Sequence, residues 1–144
     1  MTKFVDPTRG QFGQMMKLPD DGAIHMLNML RFRKKARYPD GHAAAGEELS
    51  GVDAYKRYGE ESGPIFRRVG GEVILSWSPK LTLIGPEDEE WHAIFIAQYP
   101  NAAAFAEMIK DPAYQKAVVH RQAAVKTSRL IRMAPRSVGP GFAD

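Results

Sequence analysis

The sequence predicts an α+β domain with element order β-α-β-β-α-β, and three observations carry that prediction. Residues 23–32 are apolar on both parities, as a strand covered on both faces must be. Residues 51–69 and 111–126 each gather apolar side chains on one face of a helical wheel at about 100° per residue. Three further strand-like runs, 72–84, 91–99 and 128–133, are separated by Gly70-Gly71, an acidic turn over 85–90 and the second helical region. With right-handed crossovers, this order gives a four-stranded antiparallel sheet, strand order 4-1-3-2, with both helices on one face. That is the ferredoxin-like arrangement.

Each element has its local reason. Residues 1–22 read as an arm, in which Asp6-Pro7 opens a short helix carrying Phe12, Met15 and Met16. In the first strand Ile24, Met26, Leu30 and Phe32 share one parity, and Leu27 and Met29 the other. The polar stretch 33–50 is long for a connection inside a small domain, and such loops tend to be lids or binding loops. The first main helix turns Ala54, Tyr55, Tyr58, Ser62, Ile65, Phe66 and Val69 inward, and Gly63-Pro64 should kink or split it. Pro79 puts the second strand at a sheet edge. Pro100-Asn101 opens a short helix to Lys110, and Asp111-Pro112 restarts the chain as the last helix. Residues 23–133 thus form the domain, and 134–144 are a Pro/Gly tail without core signal.

Composition narrows the function. The chain has 144 residues, 44% hydrophobic and 26% charged, which suits one ordinary globular domain. A formal charge of +3, spread without basic runs interleaved with aromatics, argues against nucleic acid. The absence of cysteine removes disulfides, thiolate chemistry and the usual zinc frameworks. Four scattered histidines form no ligand set, so no metal and no cofactor are expected. No apolar run approaches the roughly 20 residues of a membrane span, and no signal peptide is visible, so the expected location is the cytoplasm. Glu72 is the lone acid on the strands, which leaves carboxylate-pair chemistry without support.

Two polar residues stand where apolar ones belong. Arg121 falls inside the apolar arc of the last helix, and a guanidinium there needs a carboxylate, carbonyls, water or a bound anion. Asn28 shares the parity of Met26 and Leu30, and a buried amide must be paired. Two readings stay open for both. They converge on the carbonyl or carboxylate of a small ligand, with Arg31, Tyr55, Tyr58 and Trp77 around it, or they are tied to the protein's own acceptors. His120 flanks Arg121 and is the candidate general acid/base, with a structural role as the alternative. A bare sheet face on the first strand's second parity further predicts a homodimer packed sheet to sheet.

The segments Met26-Leu27-Asn28-Met29-Leu30-Arg31-Phe32-Arg33, Ala54-Tyr55-Lys56-Arg57-Tyr58, Gly70-Gly71, Tyr99-Pro100-Asn101, Asp111-Pro112-Ala113-Tyr114, His120-Arg121 and Ser128-Arg129-Leu130-Ile131 resemble successive motifs of one bacterial family. It is the domain-of-unknown-function family numbered 1330, in the dimeric α+β barrel superfamily. The resemblance implies a homodimer whose two sheets form a barrel, and it transfers no reaction. His92 departs from it, standing after Trp91 where an aspartate is expected. By analogy with the wider superfamily, any catalysis would be cofactor-free isomerisation or oxygenation. The competing class is a non-catalytic ligand sensor or accessory dimer.

Overall fold

The structure, a computed structural model, describes residues 4–142. Its elements are α1 (Arg9–Lys17), β1 (Ile24–Phe32), α2 (Gly51–Arg68), β2 (Glu72–Trp77), β3 (Ala93–Tyr99), α3 (Ala102–Lys110), α4 (Pro112–Ala124) and β4 (Val125–Met133). They form one four-stranded antiparallel sheet in the order β2-β3-β1-β4. This is the expected ferredoxin-like order, with the predicted edge position for β2.

Local chemistry sets the helix ends. Ser50, Asn101 and Asp111 cap α2, α3 and α4 by accepting backbone N–H bonds. Asp20 reaches from the arm to accept Ala102 N–H at 2.7 Å and Ala103 N–H at 3.1 Å, tying the arm to α3. The cap of α1 is Thr8, two residues later than Asp6-Pro7 suggests. Pro64 neither ends nor splits α2, which runs on to Arg68. Its ring takes the place of one N–H on an exposed stretch, where water can serve the freed carbonyl.

Three strand boundaries differ from the expected ones. β2 stops at Trp77, and residues 78–92 leave the sheet as a long exposed loop. β3 begins at Ala93 rather than Trp91, and β4 starts at Val125, directly on the end of α4. The 33–50 stretch is docked rather than free. Arg33 N–H and Arg37 N–H donate to Ala124 and Ala123 carbonyls at 2.8 and 2.9 Å, so the loop is pinned to the end of α4.

The strand register sorts the sheet's two faces. Ile24, Met26, Asn28 and Leu30 of β1 face the helices with Tyr99, Ala97, Phe95 and Ala93 of β3. Ile24, Met26, Ala97 and Tyr99 bury against Ile65, Val69, Phe105, Met108 and Tyr114 in the main core, and Leu30, Ala93 and Phe95 pack in a second cluster with Ala54, Ala124 and Val125. The opposite face carries Leu27, Met29, Leu75, Trp77, Ile94, Ile96 and Ile131, an apolar surface that no helix or strand among the described residues covers. His25 sits on it beside Gln98, ring nitrogen to amide oxygen 2.9 Å.

Candidate functional site

A cavity of about 670 Å³ opens between the helix face of the sheet, α3, α4 and the N-terminal arm. Asn28 from β1, Tyr58 from α2, and Tyr114 and Arg121 from α4 all line it, so three of the predicted residues do meet. The apolar walls come from Phe12, Met15, Phe105, Met108 and Val118. The arm is itself a wall, although α1 buries none of its residues completely.

Arg121 does not find a carboxylate among the described residues. One terminal nitrogen donates to the Val5 carbonyl of the arm, and the other to Ser128 Oγ at 3.3 Å. Ser128 continues the chain of bonds, its backbone N–H and its hydroxyl both donating to the Phe4 carbonyl at 2.7 and 2.8 Å. Asn28 donates to the Met26 carbonyl at 3.0 Å. Each of the two anomalous residues thus has a protein acceptor and still borders open space.

The tyrosines form a pair, Tyr58 and Tyr114, with hydroxyls 2.8 Å apart. Burial holds the Tyr114 hydroxyl well above the usual phenol range, reinforced by Tyr58 beside it, so it is a neutral donor at physiological pH. Tyr55 lies behind this pair, its ring 5.3 Å from Tyr58 and 5.1 Å from Phe32, and burial raises its hydroxyl likewise. It belongs to the second core cluster rather than to the cavity wall.

The remaining predicted residues stand elsewhere. Trp77 is on the opposite sheet face, 49% exposed. Arg31 points to the 78–92 loop, donating to the Asp88 carbonyl at 3.2 Å and lying 3.9 Å from Glu90. His120 is turned away from the cavity. The helical wheel places Arg121 within the apolar arc and His120 beside it, whereas His120 is the buried one, at 6% exposure, and Arg121 is half-buried. The reason is that α4 has two buried sides. Tyr114, Ala117, His120 and Ala124 lie on its most buried stripe, while Val118, Arg121 and Gln122 border the cavity.

His120 is the centre of a separate network. Its Nε2 lies 2.7 Å from Glu61 Oε2, and its Nδ1 2.6 Å from the Tyr38 hydroxyl. In the neutral ring Nε2–H donates to the carboxylate and Nδ1 accepts from the phenol. His42 stacks on Tyr38, with centroids 4.9 Å apart, and Glu47 of the same loop holds Arg57 bidentately at 2.6 and 2.7 Å. These contacts lock the 33–50 loop onto α2 and α4.

Arg132 on β4 also lines the cavity, and Arg129 touches its rim from the opposite strand parity, 3.8 Å from Glu89. Arg132 donates to the carbonyls of Met15 at 3.1 Å and Pro19 at 2.8 Å, and so holds the arm. Arg129 lies over the Phe4 ring at 4.8 Å and the Trp91 ring at 5.4 Å. Strand alternation puts Arg132 on the parity of Ser128 and Leu130, and that is the signal that could have identified it. Nothing in the sequence announces that the arm would close the cavity.

Among the described residues, no group of histidine, aspartate or glutamate side chains is placed to hold a metal ion. No helix of the described residues is long and apolar enough to cross a membrane.

Known proteins agree with this architecture. A protein of unknown function from Rhodopseudomonas palustris is 49% identical, over 95% of this chain and 100% of that one, with TM-score 0.87. A cofactor-independent oxygenase from Streptomyces nogalater is 14% identical, over 84% and 100%, with TM-score 0.51, a likeness of fold alone. An uncharacterized NIPSNAP-like domain protein from Burkholderia xenovorans is 19% identical, over 83% and 90%, with TM-score 0.50, again a likeness of fold. No curated protein matches the chain. Residues 43–133 match the family described as Domain of unknown function (DUF1330), and the chain belongs to that family.

Proposed function

We propose that this protein binds a small, largely apolar, anionic or carbonyl-bearing molecule in the cavity between sheet, helices and arm. One observation carries the reading: Arg121 and Arg132 line the cavity with only neutral protein acceptors, and the single carboxylate in its lining is Asp6. An apolar cavity of that size with a few convergent polar groups is what a small-molecule site looks like. Asn28 would orient a carbonyl, Arg121 would neutralise charge, and the Tyr58–Tyr114 pair would supply a phenol donor. Should a reaction follow binding, the proton carriers at hand are these phenols rather than His120, which faces the other way. The fold likeness to a cofactor-independent oxygenase makes cofactor-free chemistry the class to assay first.

A panel of aromatic and aliphatic carboxylates, each matched with the alcohol of the same skeleton, tests the reading by thermal shift. Carboxylates are expected to raise the melting temperature where the alcohols do not. Equal shifts from both series would remove the charge argument. A second reading has its own support, because Arg121 is already bonded to Val5 and Ser128. In that reading the arginine only pins the arm, and the protein is a non-catalytic accessory dimer.

We also propose that the protein is a homodimer packed through the uncovered sheet face. Leu75 and Trp77 are each 49% exposed on that face, and the loop beyond them leaves Leu83 and Ile84 at 85% and 93%. A contiguous apolar surface of this kind marks an interaction site. Sedimentation velocity at micromolar concentration should give a dimer for the wild type and a monomer for a Leu75→Lys/Trp77→Lys double variant. A monomeric wild type would refute the pairing.

A further inference from the structure

A second cleft, about 440 Å³, lies outside the cavity already described, between the end of β1 and the start of α2. Arg31, Arg33, Lys34 and Lys126 line it, with His92 and Glu90. Glu90 is occupied, 3.9 Å from Arg31 and 3.3 Å from His92 Nε2. Asp53, one turn into α2, lies 4.0 Å from Lys56. Among the described residues that leaves Arg33, Lys34 and Lys126 without a carboxylate partner.

The backbone forces these cations together. Arg33 is held from both sides, its N–H on the Ala124 carbonyl at 2.8 Å and its carbonyl on Gly51 N–H at 3.1 Å. Arg33 Nε is buried and has no hydrogen-bond partner. A buried donor left unpaired is costly. Burial, and then Arg37 nearby, lowers the pKa of the guanidinium from its usual value. Lys126 arrives by a register shift. Arg31 pairs with Thr127 and Phe32 with Val125, so Lys126 is the extra residue of a β-bulge, a device that re-aims a side chain. The N-terminus of α2, an 18-residue helix, adds the positive end of its dipole to the same cleft.

We propose that this cleft binds a phosphate-type oxyanion, with the guanidinium of Arg33 and the ammonium groups of Lys34 and Lys126 neutralising its charge. A tetrahedral dianion suits three converging cations better than a single carboxylate does. The anion is either free phosphate or the phosphate group of a small ester.

Titration of the full chain with inorganic phosphate and with phenyl phosphate, against sodium chloride at matched ionic strength, tests the assignment. Phosphate is expected to raise the melting temperature where chloride does not. Arg33→Met and Lys34→Ala/Lys126→Ala should each weaken binding at least about tenfold. The lysines are surface side chains, so the double variant keeps the test open if Arg33→Met fails to fold. Both titrations are also run in Arg121→Met, where the first cavity has lost its central cation, so that a shift surviving there belongs to this cleft. Tighter binding of phenyl phosphate identifies an ester as the ligand, and equal affinity identifies the free anion. A chloride response equal to that of phosphate, or unchanged binding in the double lysine variant, would overturn the proposal.

Discussion

Arg121→Met should abolish the carboxylate-induced thermal shift while leaving the apo melting temperature within a few degrees of wild type. The two halves of this expectation have different origins. A charge-assisted hydrogen bond to a ligand anion contributes about 2 kcal/mol, so its loss weakens binding about thirtyfold. The apo fold is less sensitive, because Arg121 has no carboxylate partner among the described residues and Met fills a similar apolar volume. What the fold does lose is the bond to the Val5 carbonyl, and with it one of the arm's anchors. Amide exchange across residues 4–18 should therefore quicken in the variant, with the core strands unchanged. If the arm loosens but carboxylates still bind with wild-type affinity, Arg121 is an arm clamp and nothing more.

The arm connects these outcomes. Arg121 and Arg132 both donate to arm carbonyls, and both line the cavity that the arm closes. A ligand carboxylate entering beside Arg121 would meet a guanidinium already engaged with a neutral acceptor. Exchanging a carbonyl for a carboxylate is favourable, because it adds the attraction of opposite charges to a bond whose donor is already charged. The self-bonded state of Arg121 is thus compatible with a binding role.

The topology was legible because the faces of its elements are. Apolar residues on both parities of residues 24–32, and the stripe from Ala54 to Val69, each have one packing solution. The end of the sheet at Trp77 was less so: Leu81, Leu83 and Ile84 have strand-forming side chains, yet they stand almost fully exposed. Asn28, Tyr58 and Arg121 could be grouped because strand parity and helical phase project them to one side. His120 and Arg121 exchanged roles because one wheel describes one buried side, and α4 has two. The arm's place over the cavity depends on Arg132, Ser128 and Asp20 meeting residues more than 80 positions away. No local pattern encodes such distances.

Gly51→Ala should be the most destabilising small substitution in α2, and Gly59→Ala in the same helix should be stabilising. A Cβ at position 51 would stand 2.0 Å from the Arg33 carbonyl oxygen and 2.9 Å from that of Ala124. Both obstacles are backbone, and both are fixed, since Arg33 N–H is bonded to that same Ala124 carbonyl. The end of β1, the start of α2 and the end of α4 meet at this point, so none can retreat without breaking bonds in another. Overpacking of this kind costs about 3 kcal/mol. At Gly59 a Cβ meets nothing within 4 Å, and replacing glycine by alanine in an exposed helix interior gains about 1 kcal/mol. Urea unfolding of the two variants should therefore move in opposite directions from the wild type. If Gly51→Ala unfolds at the wild-type midpoint, the close approach of the α2 start to the Arg33 and Ala124 carbonyls is not a rigid one.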